Sequence, residues 1–222
     1  MHILILSPYP DNLIAPILAR GDRVTLRSDI VDRAEIERLN PDWIISYGYA
    51  RLLAPAVLAL CGGRVLNLHI SLLPHNRGAD PNFWSWFDGT AKGVTLHLID
   101  PGMDTGPVLA QREVNFDPLA ETLSSSYARL RSEIEDLFAQ SWDGIATGRL
   151  QPAPQAGRFP VHRAADKQIL FDSLPAGWQT RACIVKRLSE IPEQERSRPG
   201  MDQSCPCPLG PCDLTPGTQT PH

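Results

Sequence analysis

Apolar residues are arranged in two ways along this chain, and the change between them divides it. Four short runs come first: "HILIL" (2–6), "RVTL" (23–26), "DWIISYGY" (42–49) and "GRVLNLH" (63–69). Runs of this length, bounded by Gly, Asp or Pro, suit strands covered on both faces. Between them lie segments with helical spacing. The pattern predicts helices over about Asn12 to Ala19, over "DIVDRAEIERL" with an apolar face of Ile30, Ala34 and Leu39, and over "APAVLALC". Strands alternating with helices predict an α/β fold: an open, mostly parallel Rossmann-like sheet flanked by helices.

After residue 90 the period changes. "KGVTLHLID" alternates, with Val94, Leu96 and Leu98 on one face and Thr95, His97 and Ile99 on the other. "PGMDTG" and then "PVLAQREV" follow, two strands of one sheet joined by a Gly/Pro/Asp loop. Asp117-Pro118 supplies an N-cap and a proline at the first helical position. The helix predicted there carries Leu119, Leu123, Tyr127, Leu130, Ile134, Leu137 and Phe138 on one stripe, runs to about Ile145, and stops at Gly148. Beyond Gly148 regular periodicity is lost, although "RFPVHRAADKQILF" has room for one short element. Residues 193–222 are dense in Pro, Ser, Gly, Gln and Thr, a composition for a disordered tail. The expected organisation is a catalytic domain over 1–150, a partly ordered C-terminal extension over 151–192, and that tail over 193–222.

Composition narrows the classes. The 222 residues are 42% hydrophobic and carry a formal net charge of -4, so a broad basic surface for nucleic acid is not expected. No run of about 18 apolar residues is present, so no membrane span is expected. The N-terminus reads as a first strand, not a signal peptide. Of five Cys, Cys61 and Cys183 are isolated, and Cys205, Cys207 and Cys212 fall in the tail. That is no disulfide framework, and a cytoplasmic location follows as the expectation.

In an open α/β sheet the ligand crevice lies outside the carboxyl ends of the strands. "SYGYARL", "NLHISLLP" and "DPGMDTG" all fall there. Asn67 and His69, two apart on a strand, point to one face, and the Gly-bounded loop with Asp100 and Asp104 can return beside them. An amide donor, an imidazole base and a carboxylate suit attack of an amine on a carbonyl carbon. Singly, each has a structural alternative: a satisfied strand-end His, a capping Asn, a turn-forming Asp. Together they indicate an α/β enzyme of group transfer or hydrolysis. His75 and His97 read as structural, and the spacing of His69, His75 and Asp104 matches no metal-ligand pattern, so no metal is expected.

"NLHISLLPHNRGADP" followed by "GVTLHLIDPGMDTGPVLAQ" resembles the folate-dependent formyltransferases, which include methionyl-tRNA formyltransferase, glycinamide ribonucleotide transformylase and the sugar N-formyltransferases. The resemblance extends over roughly residues 42 to 114. It implies a catalytic triad of Asn67, His69 and Asp104, with 10-formyltetrahydrofolate as formyl donor. It also implies a pterin pocket near Tyr49, Arg51, Leu52, Asp100 and Met103.

Departures within the family bear on the acceptor. "SPYPDNL" after the first strand lacks the Gly-containing loop that holds phosphate in the purine-pathway members. Few residues follow Gly148 for the second β-barrel domain of the tRNA enzyme. "RGADPNFWSWF" looks most like the sugar N-formyltransferases, so a nucleotide-linked amino sugar is the expected small-molecule amine acceptor. Arg77, Asp80, Asn82 and Trp84 are its candidate binding residues. For Trp84 the alternative is helix packing, and for Arg77 a solvated loop position. A formyltetrahydrofolate hydrolase, a tRNA or ribonucleotide formyltransferase, and a catalytically silent folate- or nucleotide-binding protein remain rival readings. A homodimer is also compatible with the sequence.

Overall fold

A computed structural model describes residues 1–157 and 159–191 of the chain. The expected disorder of 193–222 lies outside those residues. Four parallel strands, β1 (His2–Leu6), β2 (Arg23–Arg27), β3 (Trp43–Tyr47) and β4 (Val65–His69), begin one sheet. Next, β6 (Gly93–Leu98) pairs antiparallel with β4, and β7 (Val108–Glu113) pairs antiparallel with β6. The strand order is β2-β1-β3-β4-β6-β7. This is the open, flanked α/β sheet expected from the apolar runs. Every residue of β1 and β3 is buried, whereas β2, at the edge, is partly exposed.

Helices cover both faces, and alternate strand residues face opposite layers. Ile3, Ile5 and Ile45 pack with α1 (Asp11–Leu18) and α5 (Leu123–Ala146), while Leu4, Leu6 and Ile44 pack with α2 (Arg33–Leu39) and α3 (Pro55–Leu60). Two helices differ from expectation. α2 starts at Arg33, capped by the Asp32 side chain accepting from the Glu35 N–H, and its buried residue is Ile36; Ile30 is exposed. A good cap two residues inside the apolar pattern decided the start. α5 starts at Leu123 instead of Asp117-Pro118. The Asp117 carboxylate caps only a short turn, accepting from Leu119 N–H at 2.9 Å. Thr122 is the N-cap, and the Leu123 N–H is anchored on the Thr180 carbonyl, so a tertiary contact fixes the first turn.

The segment after Gly148 is more regular than its sequence suggests. It forms β8 (Val161–His162), α6 (Ala164–Asp172) and α7 (Ala182–Glu190). Ala182, Val185 and Leu188 of α7 join Leu123 and the aromatic face of α4 (Pro81–Phe87) in a third apolar cluster with Phe83, Trp84 and Trp86. Two backbone ties bring this segment back to the sheet. Val108 and Ala153 exchange hydrogen bonds of 2.7 and 2.8 Å, and β8 pairs in parallel with β5 (Arg77–Gly78). Both ties end beside the loop between β6 and β7.

Candidate active site

Asn67 and His69 end β4 with their side chains on one face, and the antiparallel register sets His97 directly opposite Asn67. The Asn67 amide donates to His97 Nε2 at 3.1 Å and to Asp104 Oδ1 at 3.4 Å. His97 Nδ1–H donates to the Leu98 carbonyl at 2.9 Å, which leaves its Nε2 as the acceptor. The opposite amide orientation would set an oxygen against the Asp104 carboxylate, so the network selects this one. His69 Nε2–H donates to the Asn76 carbonyl at 3.2 Å, and its Nδ1 lies 3.8 Å from Asp104 Oδ2. Nδ1 is therefore the nitrogen left to take up a proton, with a carboxylate beside it to stabilise the imidazolium.

The Asp104 loop is built to hold this position. Asp104 itself has φ 49°, in the left-handed region that aspartate tolerates better than most residues. Its Oδ2 accepts the Gly78 N–H at 2.8 Å. Asp100 closes the loop from within, accepting from Gly102 N–H at 3.0 Å and the Thr105 hydroxyl at 2.6 Å. A Cβ at Gly106 would collide with the Leu98 carbonyl oxygen, so only glycine lets the chain return to β7 at this distance. From outside, Gln155 clamps the loop: its amide donates to the carbonyls of Asp104 at 2.8 Å and Gly106 at 2.7 Å.

Burial pushes the His69 pKa down, against the opposing pull of Asp104. Burial also pushes Asp104 up, but His69, His97 and the Gly78 N–H together outweigh it and hold the carboxyl well below its ordinary range. The site at neutral pH is a carboxylate beside a neutral imidazole. For stability the signs follow directly. The Asp104 contribution is present above about pH 3.9 and is lost as pH falls through its lower folded value. His69 in the folded state refuses a proton that the unfolded chain accepts near pH 6.5, so stability declines as pH falls below about 6.5 towards the lower folded value. Urea unfolding at stepped pH between 7 and 5 is expected to show this decline, and His69→Gln to flatten it; an equal slope in the variant would remove His69 as the cause.

A cavity of about 750 Å³ wraps around this cluster, outside the carboxyl ends of β1, β3 and β4. Leu53, Leu58 and Ile99, packed on the cluster of Leu4 and Ile44, give the cavity an apolar side. Leu52, 83% exposed, and Met103, 40% exposed, also line it, an apolar slot open to a flat ligand. Tyr49, Arg51, Asp100 and Asp104 line that region, with the Tyr49 hydroxyl donating to the Asp29 carbonyl. Asp80 and Asn82 also reach the lining. Asp80 is ion-paired to Lys167 at 2.7 Å, and the buried Asn82 amide donates to the Leu123 carbonyl and accepts from Ser126.

Two expected binding residues lie elsewhere. Arg77 is buried, outside the lining, and both of its guanidinium bonds, 3.2 and 2.7 Å, go to the Gln155 side-chain oxygen. It therefore orients the clamp and has no solvated loop position or open face for a phosphate. Trp84 is buried too, with its ring stacked on His162 at 4.0 Å and 5° within the α4 cluster. Helix packing claims it. Sequence reasoning missed His97, whose only signal is the strand register, and Gln155, which has no local signal. It also missed Tyr9, Tyr127, Arg131, Arg163 and Trp178 at the far end of the cavity. Gln155→Ala is expected to lower kcat by about 10- to 100-fold, since small misplacements of a reacting group have costs of that size; unchanged turnover would show that the loop holds Asp104 unaided.

Among the described residues, no group of three or more His, Cys, Asp or Glu is placed to hold a metal, and no helix is long and apolar enough to cross a membrane. Residues 23–141 match the family model described as formyl transferase. The chain belongs to this family. Methionyl-tRNA formyltransferase from Thermodesulfovibrio yellowstonii is 37% identical over 128 residues, covering 56% of this chain and 41% of that protein. The chain thus spans about two fifths of the length of such curated relatives. The formyltransferase PseJ from Anoxybacillus kamchatkensis, solved in complex with UDP-4,6-dideoxy-4-formamido-L-AltNAc and tetrahydrofolate, is 39% identical with a TM-score of 0.77. That match covers 82% of this chain and 96% of PseJ. A likely sugar N-formyltransferase from Mycobacterium tuberculosis is 27% identical with a TM-score of 0.68, covering 77% of this chain and 78% of that one.

Proposed function

We propose that the protein transfers a formyl group from 10-formyltetrahydrofolate to the primary amine of a nucleotide-linked amino sugar. The convergence of Asn67, His69 and Asp104 at one end of an apolar slot carries this reading. The slot fits a folate: exposed Leu52 and Met103 offer apolar faces to a flat ring, and Asp100 and Arg51 add polar edges. Bound there, the folate supplies an electrophilic formyl carbon whose oxygen gains negative charge on attack.

The protein's own groups then have distinct tasks. Of the two Asn67 amide N–H groups, one is held by His97 at 3.1 Å; the other, held only loosely by Asp104 at 3.4 Å, is the donor that can turn to an oxyanion. His69 Nδ1 takes the proton that the attacking amine sheds, and it can return that proton to the departing folate nitrogen. Asp104 stabilises the imidazolium during that interval. His97 positions the Asn67 amide. The N–C bond to the acceptor forms as the bond to the folate nitrogen breaks, so the proton balance closes within the site.

The 39% identity to PseJ, over nearly the whole of that chain, supports a sugar nucleotide as acceptor. The curated tRNA-enzyme relatives favour a second acceptor, methionyl-tRNA, although a net charge of -4 is weak support for gripping phosphates. Incubation with 10-formyltetrahydrofolate and a panel of nucleotide-linked amino sugars plus methionyl-tRNA is expected to release tetrahydrofolate with a sugar nucleotide. Release with methionyl-tRNA alone would favour the second acceptor, formate release without acceptor would favour a hydrolase, and no turnover at all would sink the transferase reading.

A further inference from the structure

The far end of the cavity takes no part in the chemistry above, yet it is built around a fixed cation. Arg131 of α5 donates from Nε to the Tyr47 hydroxyl at 3.2 Å and from Nη2 to Glu135 at 3.3 Å, and its guanidinium lies 4.0 Å from the Tyr9 ring centroid. Glu135 is itself buried and saturated, accepting from Tyr47 at 2.7 Å and from Asn12 at 2.6 Å. Four elements, the β1–α1 connection, α1, β3 and α5, thus hold one guanidinium against the cavity wall. An arginine has five N–H donors, and among the described residues the Arg131 Nη1 has no hydrogen bond. An ordered fork with free donors beside a cleft is suited to a phosphate.

Two features extend this end. Arg163, exposed between β8 and α6, lines the same cavity and has no side-chain ion pair among the described residues. Trp178 also lines it, is 42% exposed, and has Lys167 Nζ 4.7 Å from its ring centroid. Tyr9 stays a neutral hydroxyl donor, its pKa pushed up to about 12 by burial and by Tyr127. Asp80 and Glu135, acids in or beside this lobe, are already paired to Lys167 and Arg131, so neither opposes an incoming anion as a free charge.

We propose that this end of the cleft binds the nucleoside diphosphate of the acceptor, with Arg131 and Arg163 on the phosphates and Trp178 stacking on the base. The assignment rests on the sugar-nucleotide reading, and it divides the cavity into a donor end and an acceptor end with His69 between them. A pyrimidine base on an exposed indole contributes through stacking, and the diphosphate through charge-assisted hydrogen bonds.

Calorimetric titration with UDP, dTDP, uridine and inorganic pyrophosphate tests the assignment without any turnover. One of the two nucleotides is expected to bind at least tenfold more tightly than uridine or pyrophosphate. Arg163→Ala should weaken that nucleotide about tenfold, and Trp178→Ala should weaken it while leaving pyrophosphate unchanged. Arg163 is exposed, so its change does not threaten the fold. Trp178 also packs on Phe171 at 4.9 Å, so unchanged pyrophosphate binding and an unchanged unfolding midpoint are the controls for its variant. Arg131→Lys keeps the charge beside Glu135 but loses the fork, and should also weaken the nucleotide. Unchanged affinity in all three variants, or no nucleotide binding by the wild type, overturns the proposal. Formyl transfer to an amine lacking a nucleotide, with no nucleotide binding, would remove this subsite and leave the reaction standing. Nucleotide binding without turnover of any amine would do the reverse.

Discussion

His69→Ala should lower kcat by about 10²–10⁴-fold, the usual contribution of a positioned general acid–base group. The donor and acceptor should still bind, because the apolar slot and the far lobe do not depend on the imidazole. The geometry makes the loss specific. Nε2–H is committed to the Asn76 carbonyl, so the proton traffic goes through Nδ1. The other imidazole beside the carboxylate, His97 with Nε2 3.6 Å from Asp104 Oδ1, is occupied by the Asn67 amide. His69→Gln can keep a donor to Asn76 but cannot accept a proton reversibly near neutral pH, so it should be as inactive as alanine. Asp104→Asn is expected to fall in the same range. It also removes the carboxylate that opposes desolvation of the imidazolium, and so should move the acidic limb of kcat/KM further down. Single-turnover rates and equilibrium binding of tetrahydrofolate separate the effects: a loss confined to affinity, with chemistry intact, would refute the role of His69.

Phe83→Ala should cost about 3–5 kcal/mol, the range for deleting a buried aromatic side chain. Phe83 is fully buried and touches three parts of the chain at once. Its ring lies 5.2 Å from Trp84 and 6.5 Å from Phe171 of α6, and its cluster includes Leu123 of α5 and Val185 of α7. A cavity there has walls from four helices, none free to collapse alone. Denaturant unfolding followed by tryptophan fluorescence and by far-UV dichroism is expected to show one coincident transition at lower midpoint. Two separate transitions, with the sheet unaffected, would mean that residues 151–191 fold as an independent annex.

The parts of the fold that were legible share a physical basis. β1, β3 and β4 are buried on both faces, so burial alone writes them as apolar runs. Stretches decided by distant partners were opaque. The start of α5 depends on Thr180, and α6, which buries no residue, leaves no stripe to read. α7 buries Ala182, Cys183, Ile184, Val185 and Leu188, a stripe confined to nine residues and interrupted by Lys186 and Arg187, too short to stand out.

The candidate site divides in the same way. Asn67, His69 and Asp104 could be drawn together from strand alternation and a Gly-bounded loop, although their roles came from family resemblance. His97 needed the β4–β6 register. Arg77 was misread because its partner, Gln155, lies far along the chain with nothing local to announce it. Trp84 was misread because stacking on a ligand and stacking on His162 ask for the same residue type.

The Gln155 clamp and the β5–β8 pairing also set an order of events during biosynthesis. A ribosome delivering this chain releases the whole six-stranded sheet before residues 155 and 162 emerge. The sheet can therefore form while the Asp104 loop is still without its outer brace. Full competence for chemistry then arrives after the sheet has formed, and the nascent protein would pass through a stage that is ordered but lacks the brace on its catalytic loop.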